Sequence, residues 1–529
     1  MNRRIITAIA AVVLICAMVV MPRIPQAKAA ATIYIRADGS IDPFGSPIQR
    51  NGDLYTMIEN VSCDADGIVV ERDNIVLDGA GFLLQGSGSG LGMNISQRSN
   101  VTIKNVKIKS FQTAVYLSMS SNSNITNNEI EDNYDGIDLW DSSNNNYILQ
   151  NSIKSNTGMG VGLSDSLGNY VYENDLAINL EDNIYLNNSH YNRIQENNIT
   201  LSAWTGIGIF GSSTHNEILN NYIANNTMYN IRFYDSPENT ITRNTIVNNV
   251  IGIQFDSNSN RNNVSGNIIM NNENGARFSS TSIDNIVYNN NFINNTVYHV
   301  NTKYASNILD GGYPSGGNYW SGYNGTDVYS GPNQNETGND GIGDALYALD
   351  ASHADHYPLK GLFAEFYAGS WDFVSYYVSF VSNSAISDFS FNATQKLLAF
   401  NITGDSITDG FCRIAICTTL LSGPYTVWVD DSQVLPSATS NGTHSFLYFA
   451  YSHGAHNIRV IGTSAIAELS SVAIVAAFAV TGFAVVAKFL HRKLSKDSVC
   501  KEKMGLLDFE GFSSCESNRK KRGYYQQGQ

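Results

Sequence analysis

Residues 171–200 read VYENDLAINLEDNIYLNNSHYNRIQENNIT, and this sentence is repeated along much of the chain. Val171 and Ile194 open two successive copies, Leu176 and Ile199 follow five residues later, and Ile184 and Leu186 form a pair two apart. Outward from there the first aliphatic recurs as Ile103, Ile125, Ile148, Val171, Ile194, Ile218, Ile241, Val264 and Val287, at spacings of 22 to 24 residues. The second recurs from Ile108 through Ile130, Ile153, Leu176, Ile199, Ile223, Ile246 and Ile269 to Phe292, and the pair from Val115/Leu117 to Ala276/Phe278. An i, i+2 pair has the period of a strand and not of a helix. Apolar columns that share one period define a solenoid with three short strands in each coil.

The turns supply the remainder of the repeat. Asparagine stands two residues before the second aliphatic at Asn128, Asn151, Asn174, Asn197, Asn221, Asn244, Asn267 and Asn290. A second column runs Asn133, Asn156, Asn179, Asn226, Asn249, Asn272 and Asn295, with Ser202 as a lapse, and a third runs from Asn146 to Asn285. In coils stacked at about 4.8 Å, each side-chain amide donates to one neighbour and accepts from the other, and asparagine tolerates left-handed turn backbone. Asparagine is therefore architecture in this chain. Gly136, Gly160, Gly206, Gly252 and Gly275 mark the bend into the third strand.

The chain has 529 residues, is 43% apolar, and carries a formal charge of −15 from 32 Lys+Arg against 47 Asp+Glu. It is long enough for several domains, and its acidity argues against a nucleic-acid partner. The six cysteines show no metal-ligand spacing. Cys412 and Cys417 lie in FCRIAIC, a spacing open to a bridge outside the cell or to two unpaired strand positions. Arg3 and Arg4, the apolar run Ile5 to Met21 and Ala27-Lys28-Ala29 have the form of a signal peptide. Leu469 to Ala487 is nearly all apolar and is followed by His491, Arg492, Lys493 and Lys496, as in a membrane span with its positive flank inside. N-x-S/T sequons, among them Asn94, Asn198 and Asn441, agree with an exterior location.

With its N-x-I and G-I-x-L steps, the repeat resembles the right-handed parallel β-helices of the pectate-lyase-like superfamily. More narrowly it resembles NosD-type β-helix proteins and the archaeal surface proteins that carry such domains. The resemblance spans roughly residues 33 to 360, and its more specific part is the closing signature GGNYWSGY (316–323), GNDGIGD (338–344) and DHYPL (355–359). It implies a right-handed, three-strand-per-coil parallel β-helix. The alternating segments from Phe363 to Thr463, such as WDFVSYYVSFV and HNIRVIG, predict a β-sandwich after it, and the apolar run one transmembrane helix, so the expected fold is all-β apart from that span. The expected boundaries are a signal peptide at 1–29, the β-helix with N-terminal and Gly/Asn/Asp-rich C-terminal caps at 30–362, a membrane-proximal β-sandwich at 363–463, the transmembrane helix at 466–490 and a cytoplasmic tail at 491–529. The superfamily includes polysaccharide lyases, glycosidases, epimerases and adhesins, and NosD is associated with copper-site maturation in a reductase. The exported histidines and methionines of this chain share no column, so the residues themselves do not argue for copper.

Candidate site residues sit where the repeat faces outward. The column Tyr116, Asp138, Gly162, Tyr185, Gly208, Arg232, Gln254, Arg277 mixes aromatic, acidic, amide and guanidinium groups suited to sugar rings. Tyr116, Asp138, Tyr185, Arg232 and Arg277 are the expected ligand-binding residues, and the alternative is a solvated sheet face. Asp141 and Asp165 occupy equivalent turn positions on neighbouring coils and are the best acidic pair for glycoside chemistry, although a Ser follows each, as in Asx-type turns. Asn339, Asp340 and Asp344 in NDGIGD resemble a short calcium loop without its regular Asp series, so Ca2+ is the one cofactor in view. The expectation is a membrane-anchored surface protein that binds a polysaccharide or another surface component. The alternatives are a polysaccharide lyase or glycoside hydrolase, and a NosD-like accessory protein that handles copper.

Overall fold

The computed structural model describes residues 31–302 and 305–466. The expected signal peptide, the tail, and the expected transmembrane helix beyond Ile466 lie outside them. Among the described residues no helix is long and apolar enough to cross a membrane.

The repeat closes into a right-handed parallel β-helix of three sheets with 13, 12 and 12 strands. Each aliphatic column forms the inner face of one sheet. Ile103 pairs with Ile125 and Ile148 with Val171 in the first, Ile108 with Ile130 in the second, and Val115 with Ile137 in the third. These side chains are fully buried. Each buried aliphatic contributes about 1.5–3 kcal/mol by leaving water, so one core is built up coil by coil. In the third sheet the core turns aromatic: Phe233, Phe255 and Phe278 stack at 5.0 and 4.6 Å between centroids. Toward the N-terminus the helix is closed by two antiparallel pairings, Ile33–Ile35 with Ile41–Asp42 and Ile48–Asn51 with Leu54–Met57. Toward the C-terminus Trp320, wholly buried, stacks between Phe292 and Tyr347 at 4.7 Å from each. Asp355 of DHYPL accepts from its indole Nε1 at 2.8 Å and from the Asn318 N–H at 2.7 Å.

The asparagine columns are hydrogen-bonded ladders. From Asn128 to Asn318 each Nδ2 donates to the next Oδ1 at 2.9–3.0 Å. From Asn146 to Asn307 the steps are 3.0–3.2 Å. The same oxygens also accept the backbone N–H of the preceding coil, for example Asn174 N to Asn197 Oδ1 at 2.9 Å. Left-handed backbone falls one residue earlier than the ladder position, at Asn127, Gln150, Glu173 and Glu196. The ladder residue is selected for its amide, and the strained φ is carried by its neighbour.

From Leu362 to Ile461 two five-stranded antiparallel sheets share a second core, with Phe380 of one against Phe400 of the other at 5.0 Å. This part is sandwich-like. It meets the β-helix through Asn291, whose amide exchanges two hydrogen bonds with the Phe363 backbone at 2.8 Å, and through an Arg243–Glu365 ion pair at 3.2 Å. Cys412 and Cys417 are free thiols. They lie on one strand, Asp409–Cys417, at an odd separation that turns them to opposite faces, so a bridge between them is excluded.

Candidate functional site

The stacking rule is relaxed in one place. From second-sheet to third-sheet aliphatic, seven residues separate Ile108 from Val115, Ile130 from Ile137, Ile246 from Ile253 and Ile269 from Ala276. Eight separate Ile153 from Val161, Leu176 from Ile184, Ile199 from Ile207 and Ile223 from Ile231, and the longer turn returns once, at Phe292 to Val300. The ladder is intact beneath the first of these four consecutive turns, where Asn156 Nδ2 donates to Asn179 Oδ1 at 3.0 Å, and is disturbed beneath the next three. Asn179 Nδ2 bonds to Asn183 Oδ1 at 2.7 Å, Ser202 has no amide to offer, and Asn226 Nδ2 bonds to Asn230 Oδ1 at 2.9 Å. The extra residue lifts each turn, and side chains from it stand over the edge of the third sheet.

These turns border a cavity of about 540 Å³ on the outer face of the third sheet. Trp140, Tyr185, Trp204 and Phe210 supply its aromatic surface, and Trp204 is 60% exposed. Tyr185 and Phe210 stack at 5.2 Å. Space for them exists because Gly208 stands between Tyr185 and Arg232 in the outward column. A Cβ there would lie 2.5 Å from both the Phe210 ring and Asp182 Oδ2. Arg232 is held by Asp256 at 3.2 Å, with its guanidinium 5.1 Å from the Tyr229 ring and 5.8 Å from Phe210.

Three carboxyl groups, from Asp165, Glu181 and Asp182, also line the cavity. Asp182 is only 6% exposed, and its Oδ1 has no hydrogen-bond partner. Burial pushes its carboxyl up to about 7 and Glu181 adds to the rise, while the Thr205 hydroxyl and N–H and the Arg232 charge oppose it. One wall is backed by Asp138, 4% exposed and likewise with an unpartnered Oδ1. Burial and the neighbouring Asp135 push it up to about 8, against a hydrogen bond from the Thr113 hydroxyl at 3.3 Å. Asp138 lies beside Gly162, beneath Met159: a Cβ on Gly162 would stand 2.8 Å from its Oδ1 and 3.3 Å from Met159 Cε.

Tyr116, Asp138, Tyr185, Arg232 and Arg277 do share one outward column, in register coil by coil. Tyr185 and Arg232 line the cavity, Asp138 backs it, and Tyr116 and Arg277 lie beyond its two ends. Asp165 lines it as well. Asp141 does not: its φ of 51° puts it in a left-handed turn, where its carboxylate accepts from the Ser118 hydroxyl at 3.1 Å. Asp340 and Asp344 brace the C-terminal cap instead of converging. Asp344 accepts the Val328 and Tyr329 N–H groups and the Thr326 hydroxyl, and Asp340 accepts the Ile342 N–H and the Gln334 amide. Asn339 precedes them in the same loop, and among the described residues no group of three or more His, Cys, Asp or Glu side chains could hold a metal ion. Column reading missed Glu181, Asp182, Trp140, Trp204 and Phe210, which come from the turns and strand ends. The eight-residue spacing and the lapse at Ser202 mark the turns that carry Glu181, Asp182 and Trp204, while Trp140 and Phe210 end their strands and carry no such mark.

The fold and its outward groove define a parallel β-helix repeat protein. More particularly, it is similar over part of its length to the family described as "Periplasmic copper-binding protein (NosD)", whose model matches residues 84–232 and 223–325. No curated protein matches the chain. Among solved structures it is similar to the A-module of Azotobacter vinelandii mannuronan C-5 epimerase AlgE6, with 14% identity over 49% of this chain and 78% of that one and a TM-score of 0.38. It is also similar to the periplasmic alginate epimerase AlgG, with 14% identity over 51% and 83% and a TM-score of 0.34. The DFA-IIIase of Arthrobacter chlorophenolicus A6 is similar at 12% identity over 42% and 67%, with a TM-score of 0.34.

Proposed function

We propose that this is a cell-surface protein, anchored by one C-terminal helix, whose β-helix binds a glycan in the groove on its third sheet. The observation that carries the reading is the cavity itself: aromatic plates from Trp140, Tyr185, Trp204 and Phe210 stand beside hydrogen-bonding groups from Asp182 and Arg232. Sugar rings offer apolar C–H faces for stacking and hydroxyls for such groups. The anchor is supported by the apolar run Leu469 to Ala487 with its basic flank, and an exterior location by the sequons. Incubating the full chain on a polysaccharide array, beside its Trp204→Ala variant, tests the reading. Retention of a glycan that the variant loses supports it, and equal retention by both overturns it.

A second reading, a carbohydrate-active enzyme, is favoured by the unpartnered oxygens of Asp138 and Asp182. These carboxyls lie beside Gly162 and Gly208, positions two coils apart in the register of the outward column. Reducing-end and unsaturated-product assays on each retained glycan decide between the two. Copper handling rests on the family's description alone. Within the matched stretch His190 Nδ1 faces the Thr214 hydroxyl, His215 faces Glu238 and His299 faces the Asn295 amide.

A further inference from the structure

We infer that the groove selects glycans bearing a free ammonium group, that is amino sugars, over neutral sugars and against uronates. The inference rests on the glycan reading above and names the class of glycan. Three carboxyl groups, from Asp165, Glu181 and Asp182, face one cavity that contains a single cationic side chain. That cation is already engaged: Arg232 is paired with Asp256 and leans on the Tyr229, Phe210 and Tyr234 rings. The balance of the cavity is therefore acidic, and aromatic faces beside carboxylates attract a cation by their own quadrupoles as well.

Asp182 makes the acidity specific. It is more than nine-tenths buried, lies on the cavity wall, and has one oxygen that no group of the protein satisfies. Thr205 donates to this carboxyl and the Arg232 charge reaches it, but Oδ1 is left without a donor and Arg232 is shared with Asp256; an ammonium adds a donor and a further positive charge. Its raised titration point, caused first by burial, agrees with an uncompensated site. Glu181, on the same lifted turn, is exposed at the cavity rim and meets the same ligand from the solvent side. A uronate carboxylate in this position would meet the Asp165 and Glu181 carboxylates and would hold the raised Asp182 carboxyl in its neutral form, and the chain's net charge of −15 repels polyanions at longer range.

The test measures binding of the full chain at pH 6.5, in EDTA, to three probes: β-1,4-linked glucosamine tetramer, its N-acetylated counterpart, and a tetra-uronate. The expected result is an affinity for the glucosamine tetramer at least ~10-fold above that for the acetylated one, equivalent to 1.4 kcal/mol, with no measurable binding of the uronate. Asp182→Asn and Glu181→Gln should each reduce the amine-to-acetyl ratio several-fold. Glu181→Gln lies at an exposed position, so the comparison stands even if the buried substitution unfolds the coil. Equal affinity for amine and acetyl forms, preference for the uronate, or a ratio unchanged in both variants overturns the inference while leaving glycan binding intact. Failure of all three probes overturns the choice of ligand class, and the polysaccharide array then decides separately whether glycan binding itself survives.

Discussion

Coils with seven-residue turns and coils with eight-residue turns share the same inward columns but differ in what they show to solvent. In the flanking coils, around Ile130 and Ile269, the turn residues are taken up by ladders, such as Asn133 to Asn156 and Asn272 to Asn295. From Ile153 to Ile231 each turn carries an added residue and the last three leave that pattern, so that Met159, Glu181 and Trp204 stand at the groove and Tyr229 beside Arg232. The core tolerates the insertion because Ile184, Ile207 and Ile231 stay in register and fully buried. Stability and ligand recognition thus occupy different positions of the same repeat, and substitutions can separate them.

The largest effect belongs to the shared core. Phe255→Ala empties the middle of the Phe233–Phe255–Phe278 stack and should cost about 3–5 kcal/mol, read as a fall in the thermal or denaturant midpoint. A loss under about 1 kcal/mol would mean that the coils close around the cavity and that the regular part is softer than its packing implies. Next is the ladder. Asn221→Ala deprives Asn197 of the acceptor for both its backbone N–H and its side-chain amide, at 3.0 Å each, and leaves the Ile194 carbonyl without its donor. A cost of about 2–3 kcal/mol is expected, since buried groups lose their partners. Glycan binding should follow these two variants only through the folded fraction.

How far each part was legible in the sequence follows from the same division. The three-strand coil, the inward columns and the ladders were readable because stacking imposes one residue type at one spacing, and Ile103, Asn151 and Leu186 lie where the period puts them. The column from Tyr116 to Arg277 was readable as outward, but which members act was not, because a cavity depends on what the adjoining turns place above the sheet. Tyr185 and Arg232 fall in the groove, whereas Tyr116 and Arg277 do not. Asp182 was passed over because it stands in a turn, three residues before the column member Tyr185, and its importance comes from burial that no spacing reports. The GNDGIGD loop resembled a calcium site because loop bracing and calcium binding use the same residues. Its carboxylates accept hydrogen bonds from backbone N–H groups, which only coordinates reveal.

A third test addresses the cost of acidity behind the groove. Asp138 shifts from an ordinary value of 3.8 to about 8, so its neutral form suits the folded state. Stability linked to it is fully present below pH 3.8 and is lost as pH rises toward 8. Asp138→Asn keeps the neutral shape. Its melting temperature should match wild type near pH 4 and exceed it near pH 8. A variant less stable than wild type at pH 8 would show that the ionised carboxylate is held by the fold, and the groove wall would then count among the structural positions.

The smallest stability effect should come with a clear loss of binding. Trp204 is 60% exposed and is carried by the lifted turn next to Ser202, whose hydroxyl accepts the Trp204 N–H at 3.0 Å. That hydrogen bond uses the backbone, so Trp204→Ala keeps it. The indole leaves little buried area behind, and the midpoint should move by no more than about 0.5 kcal/mol. A glycan stacked on the indole would lose an aromatic face, and affinity should fall about tenfold, or 1.4 kcal/mol. The two readouts together bear on the comparison. If Trp204→Ala destabilises the chain as much as Asn221→Ala, the eight-residue turns are structural like the others and the cavity is incidental to them. If stability holds while affinity falls, the extra residue in these four coils serves the ligand and not the stack.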